Sequence, residues 1–155
     1  MPQSRLQQEI RQTKPFASPV VEVYLNLLRT HDHLSGDFAR FMKKKGISQP
    51  QYNVLRILRG AGKEGLPSLA VAERMVARVP DITRLLDRMA AKGWVRRTRS
   101  KEDGRVVIAR ITPKALRFLA KLDEPVLAFQ QDLLGHLTKK ELETLNTLLV
   151  KARSA

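Results

Sequence analysis

Apolar residues recur at three- and four-residue spacings over most of this chain, which is the pattern of amphipathic helices. The first such run begins near Pro19 and ends at Lys43-Lys44-Lys45-Gly46, where lysines complement the helix dipole and glycine stops the helix. Later runs of helical spacing follow Ile47, Pro67, Val79, Ile111 and Leu137. The pattern predicts six helices, of which the middle three are short.

Several helix starts have residues that suit a first turn. Thr138-Lys-Lys-Glu141 matches a capping box, in which two side chains satisfy free N–H groups. We expect Ser68 to cap the third helix and Pro80 to occupy the first turn of the fourth. Pro125 lies inside the fifth run and should kink or split that helix.

The period changes to alternation after the fourth helix, over Trp94–Arg99 and Arg105–Thr112. Asp103-Gly104 between these runs is typical of a tight hairpin turn with a positive φ. A short strand is also expected at Leu66. Trp94 is expected to be a core residue at the start of its strand, with base stacking as the alternative role.

Positive charge is concentrated on the fourth helix and the hairpin. The net charge of the chain is +14, and residues 84–117 carry 11 Lys/Arg against 3 Asp/Glu. Residues 118–155 carry five of each kind. A polyanionic partner explains this concentration, whereas a solubilising surface would spread the charge evenly.

Short helices followed by a basic hairpin predict a winged helix-turn-helix that binds duplex DNA. The expected fold class is mainly α with a small β-hairpin wing. We expect a flexible arm over residues 1–18, the winged helix-turn-helix over residues 47–112, and dimerisation helices over residues 19–46 and 113–155. The outer helices are assigned to a dimer because they have more apolar surface than the central unit can cover.

The fourth helix is expected to enter the major groove by its N-terminal end, with Arg84 as the main candidate for a base or phosphate contact. Thr83 could contact a phosphate or a thymine methyl, and an ordinary surface role is the alternative for Arg88. The hairpin tip, with Arg105 inserted, suits the minor groove. Asp103 would repel phosphate, so we expect it to shape the turn or hold a neighbouring arginine. The candidate DNA-contacting residues are Arg78, Asp81, Thr83, Arg84, Arg88, Arg96, Arg97, Arg99, Lys101 and Arg105.

Three runs, ISQPQYNVLRIL, PDITRLLDRMAAKGWVRR and SKEDGRVVIARIT, resemble the MarR (multiple antibiotic resistance regulator) family of bacterial transcription factors. The resemblance implies a homodimer built on the outer helices, with the fourth helix in the major groove and Arg105 in the minor groove. Asp103 and Arg105 match the family's Asp-x-Arg wing, where the aspartate often braces the arginine. Gly104 stands where the family commonly has a second arginine, which implies one contact fewer at the tip.

Members of that family commonly release DNA when small phenolic or other aromatic ligands bind between the dimer helices and the winged unit. His33 and Arg59 are candidates for binding such a small or anionic effector, and a structural or solvated role is the alternative. We expect no metal and no cofactor. His31 and His33 face different sides of a helix, and the chain has no cysteine, which excludes disulfides and thiolate zinc sites.

The predicted function is a MarR-type transcriptional regulator, a homodimeric repressor of a palindromic operator that a small-molecule effector releases. The alternative is a winged-helix protein-interaction module with incidental DNA binding. We do not expect an enzyme, because no phosphate-binding loop, Ser-His-Asp arrangement or metal-ligand spacing occurs. A membrane-spanning run and a signal-peptide core are also missing from the sequence, so the expected location is the cytoplasm, at the bacterial nucleoid.

Overall fold

A computed structural model describes residues 3–154, which form helices and one small antiparallel sheet. The helices are α1 (Arg5–Glu9), α2 (Pro19–Lys44), α3 (Gln49–Ala61), α4 (Ser68–Arg74), α5 (Ile82–Ala91), α6 (Pro113–Leu134) and α7 (Lys139–Ala152). The strands are β1 (Leu66–Pro67), β2 (Val95–Arg99) and β3 (Val107–Ile111), and a 3-10 turn lies at Gly62–Glu64. This element order confirms the predicted fold class. None of the helices in this described part is long and apolar enough to cross a membrane.

The chain divides into two compact units, of which the first runs to Gln49. Its long helix α2 begins where predicted, because the Ser18 side chain caps it and Pro19 occupies its first turn. The N-terminal half of α2 exposes large apolar side chains, namely Val20, Val21, Val23, Tyr24, Leu27 and Leu28. So many exposed apolar side chains are unusual on a helix that contacts only water on that side.

The short helix α1 was not predicted, and it lies in the segment expected to be an arm. A capping box between Ser4 and Gln7 starts it, and Leu6 is buried. The Glu9 carboxylate accepts hydrogen bonds from Arg5, one turn back, and from Arg29 on α2 at 2.9 Å. Ser4-Arg-Leu-Gln7 fits a capping box, but five residues are too few to show a helical period, so the apolar pattern by itself does not indicate this helix.

The second unit starts at Pro50 and contains the sheet, whose strand order is β1-β3-β2. The register pairs Val95 with Ile111 and Arg99 with Val107, as in a hairpin. The predicted strand at Leu66 is confirmed as β1, which pairs with the other edge of β3. Apolar residues of α3, α4, α5, β3 and α6 are fully buried, namely Val54, Leu55, Leu58, Val71, Leu86, Met89, Ala109, Ala115 and Leu119.

Both helices α4 and α5 form, but the roles predicted for Ser68 and Pro80 at their starts are wrong. Ser68 is the first residue of α4, no side chain caps that helix, and the Ser68 hydroxyl donates to the Val107 carbonyl at 3.4 Å. Pro80 lies before α5, whose N-cap is Asp81, with its carboxylate accepting the Arg84 N–H at 2.9 Å. At α4 the Ser68 hydroxyl bonds to a distant strand and not to its own helix. At α5 the Asp81 carboxylate is the N-cap, which leaves Pro80 outside the first turn.

The start of α6 and the start of α7 agree with the sequence. Thr112 caps α6 ahead of Pro113, and the Thr138–Glu141 capping box is complete. The helix α6 runs without interruption through Pro125, so the possible split there does not occur. Trp94 is buried and stacks on Phe118, with ring centroids 5.2 Å apart, which confirms its core role.

Candidate nucleic-acid interface

Helix α5 presents one apolar face to the core and one polar face outward. Leu85, Leu86 and Met89 are buried at the spacing of one helix side. The opposite side exposes Thr83, Arg84, Asp87 and Arg88. The Asp81 carboxylate accepts a free N–H of the first turn, so α5 begins at Ile82. Arg84 lies in this first turn, near the N-terminal end of the helix.

The connection between α4 and α5 is held by a residue that the sequence did not indicate. Met75 takes an extended conformation and ends α4. The backbone N–H of the next residue, Val76, donates to the Asn53 side chain on α3 at 2.8 Å. Arg78 is exposed in this connection. Asn53 therefore fixes the segment that leads into α5, and no sequence signal marks a pairing between residues 23 positions apart.

The wing tip is a longer loop than the predicted two-residue turn, and Gly104 does not have a positive φ. The Ser100 N–H donates to the Val106 carbonyl at 2.8 Å, which closes the loop. Inside it, the Asp103 carboxylate accepts the backbone N–H of Arg105 at 3.0 Å. Asp103 thus shapes the turn through the backbone, and the side chain of Arg105 projects exposed from it.

Two of the arginines proposed to contact DNA are occupied within the fold. Arg97 on β2 forms an ion pair with Asp87 on α5, and its side chain is only 19% exposed. Arg99 donates to the Gly104 carbonyl at 2.7 Å and so ties the strand to the wing tip. Arg110 on β3 likewise binds the Thr98 hydroxyl and the Lys63 carbonyl, at 2.7 and 3.1 Å. Arg97 therefore joins the wing to α5, Arg99 joins β2 to the wing tip, and Arg110 joins β3 to β2 and to the 3-10 turn.

Asp81 and Thr83 are exposed at the start of α5, and the six remaining basic candidates are exposed without an ion pair within residues 3–154. They are Arg78, Arg84, Arg88, Arg96, Lys101 and Arg105. They occupy the connection before α5, the outer side of α5, strand β2 and the wing tip. Cationic side chains without a carboxylate partner are available to neutralise phosphates.

The two candidate effector residues lie in different units, and each is near a carboxylate. His33 on α2 is 72% exposed, with its Nε2 3.8 Å from an Asp37 oxygen. Arg59 on α3 binds Asp123 on α6 through both guanidinium NH₂ groups, each 2.9 Å from a carboxylate oxygen. These hydrogen bonds lower the pKa of Asp123 below its ordinary value, against a smaller opposing effect of burial. An anion approaching Arg59 would have to compete with Asp123.

Comparison with known proteins shows which family this chain is similar to. The model of the MarR family matches residues 47–107. The crystal structure of a MarR transcription factor from Planctomyces limnophilus is 40% identical, with a TM-score of 0.68, and the match covers 87% of this chain and 98% of that one. The transcriptional repressor IacR of Pseudomonas putida is 29% identical over 79% of this chain and 72% of its own length.

The fold is also that of a MarR variant from E. coli, whose crystal structure was determined with operator DNA. The TM-score is 0.79 at 22% identity, and the match covers 90% of this chain and 99% of that one. Members of the MarR family are regulators of transcription and not enzymes. The chain belongs to the MarR family of DNA-binding, winged-helix transcriptional regulators.

Proposed function

We propose that the protein is a homodimeric repressor that binds a palindromic operator and leaves it when a small molecule binds. The observation that carries the proposal is the set of exposed cations on α5 and the wing tip that form no ion pair with any residue from 3 to 154. Asp87, the carboxylate on the outward side of α5, is paired with Arg97. The DNA-facing surface is therefore positive although α5 includes an acidic residue.

In the proposed complex α5 lies in the major groove and the wing tip reaches the adjacent minor groove. Arg84 and Thr83 are exposed near the start of α5, and we propose that they contact bases or phosphates. Arg105 projects from the tip, where the narrow minor groove attracts an arginine. Arg97 and Arg99 serve the complex indirectly, because they hold the wing in position.

The proposed dimer uses the outer helices, over residues 19–46 and 113–155. The exposed apolar side of α2 supports this assignment, and so do exposed apolar residues on α6 and α7, namely Leu127, Leu145, Leu148 and Val150. A second copy related by a two-fold axis is the simplest cover for such surfaces. The same axis would place two α5 helices on one face of the DNA.

Effector release is proposed on the resemblance to a family whose members respond to small aromatic ligands. In this chain His33 and Arg59 remain the candidate residues for an anionic effector. The repressor role is supported by the similarity to IacR, which is itself a repressor. Binding to DNA would place the protein at the bacterial nucleoid.

The test is selection of bound sequences from a random duplex library, followed by measurement of affinity at several salt concentrations. We expect a palindrome with half-sites about 10 bp apart, centre to centre. The logarithm of the binding constant should fall steeply with the logarithm of salt concentration. A flat salt dependence, or no selected sequence, would refute the regulator and favour a protein-interaction module.

A further inference from the structure

Besides its buried apolar residues, helix α6 makes polar contacts with the winged unit, α3 through β3, at two separate points. At its start the Thr112 hydroxyl donates to the Gly93 carbonyl at 2.7 Å, and the Lys114 ammonium donates to the Lys92 carbonyl at 2.9 Å. Both acceptors lie at the C-terminal end of α5. The second point is Asp123, about 15 Å further along α6, where Arg59 of α3 binds.

The contact between Arg59 and Asp123 fixes orientation as well as distance. The planar guanidinium presents two parallel donors to two carboxylate oxygens, with both distances 2.9 Å. The partners are 64 residues apart, so the pair is a tertiary contact rather than a feature of one helix. The side chains are 31% and 45% exposed, so water can replace either partner when the pair opens.

The backbone of α6 has its weakest point directly after this pair. Pro125 lies inside the helix and has no N–H to donate to the carbonyl one turn earlier. Beyond it, Leu127 is exposed, on a helix that we assign to the dimer. The polar contacts with the winged unit therefore lie before Pro125, and after it Val126 is buried while Leu127 is exposed.

We propose that Arg59 and Asp123 are positioning residues that hold α6 at one angle to the winged unit and thereby set the distance between the two α5 helices of the dimer. Pro125 is the point at which α6 bends when the pair opens. The inference rests on the proposed function, since it needs two copies of α5 on one operator. An exposed pair suits this role because it opens at low cost.

The experiment compares wild-type protein with Asp123→Asn on the selected operator and on duplexes with one or two base pairs added between the half-sites. Wild type should bind the original spacing more tightly than the altered ones. In Asp123→Asn this preference should fall by up to about twenty-five-fold, because the dimer has two such pairs and each contributes up to about fivefold. Glu124→Gln is the matched control, since it removes the same charge one residue away and should keep the wild-type preference.

A merely structural role would weaken binding to every spacing by the same factor, so an unchanged preference in a folded, dimeric Asp123→Asn would overturn the inference. The exchange of charges, Arg59→Asp with Asp123→Arg, should restore part of the preference. Adding Pro125→Ala to Asp123→Asn should also restore part of it, since a complete helix bends less. If wild type shows no spacing preference, the proposed homodimer with two α5 helices on one operator is refuted. The inference then fails as well, because it rests on that dimer.

Discussion

The ion pair between Arg97 and Asp87 leads to a prediction about the free energy of unfolding. Removal of Asp87 should cost more stability than removal of Arg97. The Arg97 side chain is 19% exposed and that of Asp87 is 59% exposed. Replacing Arg97 with methionine keeps the apolar stem, and the carboxylate left behind can be hydrated. Replacing Asp87 with asparagine leaves a mostly buried guanidinium without its counter-charge, which costs more.

The expected magnitudes follow from these exposures. Arg97→Met should lower the free energy of unfolding by up to about 1 kcal/mol, the range of solvent-exposed pairs. Asp87→Asn should lower it by about 2 kcal/mol, because an amide oxygen can still accept from Arg97 but no longer supplies the counter-charge of a mostly buried guanidinium. In the double variant the two costs should not add, because the second change removes a partner that is already alone.

The assay is urea unfolding without DNA, followed by circular dichroism at one fixed protein concentration, since a dimer's stability depends on concentration. Arg88→Met is the control, because Arg88 is an exposed arginine of α5 without an ion pair in the described chain. It should change the free energy of unfolding by less than about 0.5 kcal/mol. Asp87→Asn and Arg97→Met of equal cost would refute the reasoning from burial.

Three further predictions concern other parts of the chain. Arg105→Ala should weaken DNA binding about tenfold and leave the dimer and its unfolding curve unchanged, as checked by fluorescence anisotropy and light scattering; a dimer that dissociates would show that the wing is misplaced. Because Arg59 lowers the pKa of Asp123 in the folded state, the stability this carboxylate contributes is present above its unfolded pKa of about 4 and is lost as pH falls through the lowered value. Acid unfolding curves of wild type and Asp123→Asn should therefore converge below about pH 4, and parallel curves would contradict the assignment. Gly65→Ala should destabilise the fold by about 2 kcal/mol or more, because Gly65 has a φ of 70° and an added Cβ would lie 2.3 Å from the Ala109 carbonyl oxygen; Gly62→Ala, at a φ of 66° but in open space, is the control for the strain alone.

Features encoded within one turn of chain could be inferred from the residues alone. The bounds of α2, the cap of α6 at Thr112 and the capping box at Thr138 all depend on neighbours three or four positions away. The concentration of charge on α5 and the wing is likewise a property of composition. It indicated a DNA-binding surface, and the family comparison confirmed that class of protein.

Features that depend on distant partners could not be inferred in this way. Arg97, Arg99 and Arg105 look alike along the chain, yet the first binds Asp87, the second binds a loop carbonyl, and the third is exposed at the tip. Arg59 was a ligand candidate, and the fold pairs it with Asp123, 64 residues away.

The physical reason is that periodicity and caps are short-range, so they specify where helices and strands form and which faces are apolar. The pairing of charges depends on which elements meet after folding, and a sequence pattern has no information on distances between such elements. Composition and local pattern therefore identified a basic helix and wing. Which arginines are paired within the fold and which one projects from the wing tip was decided when α5, β2 and the wing loop packed together.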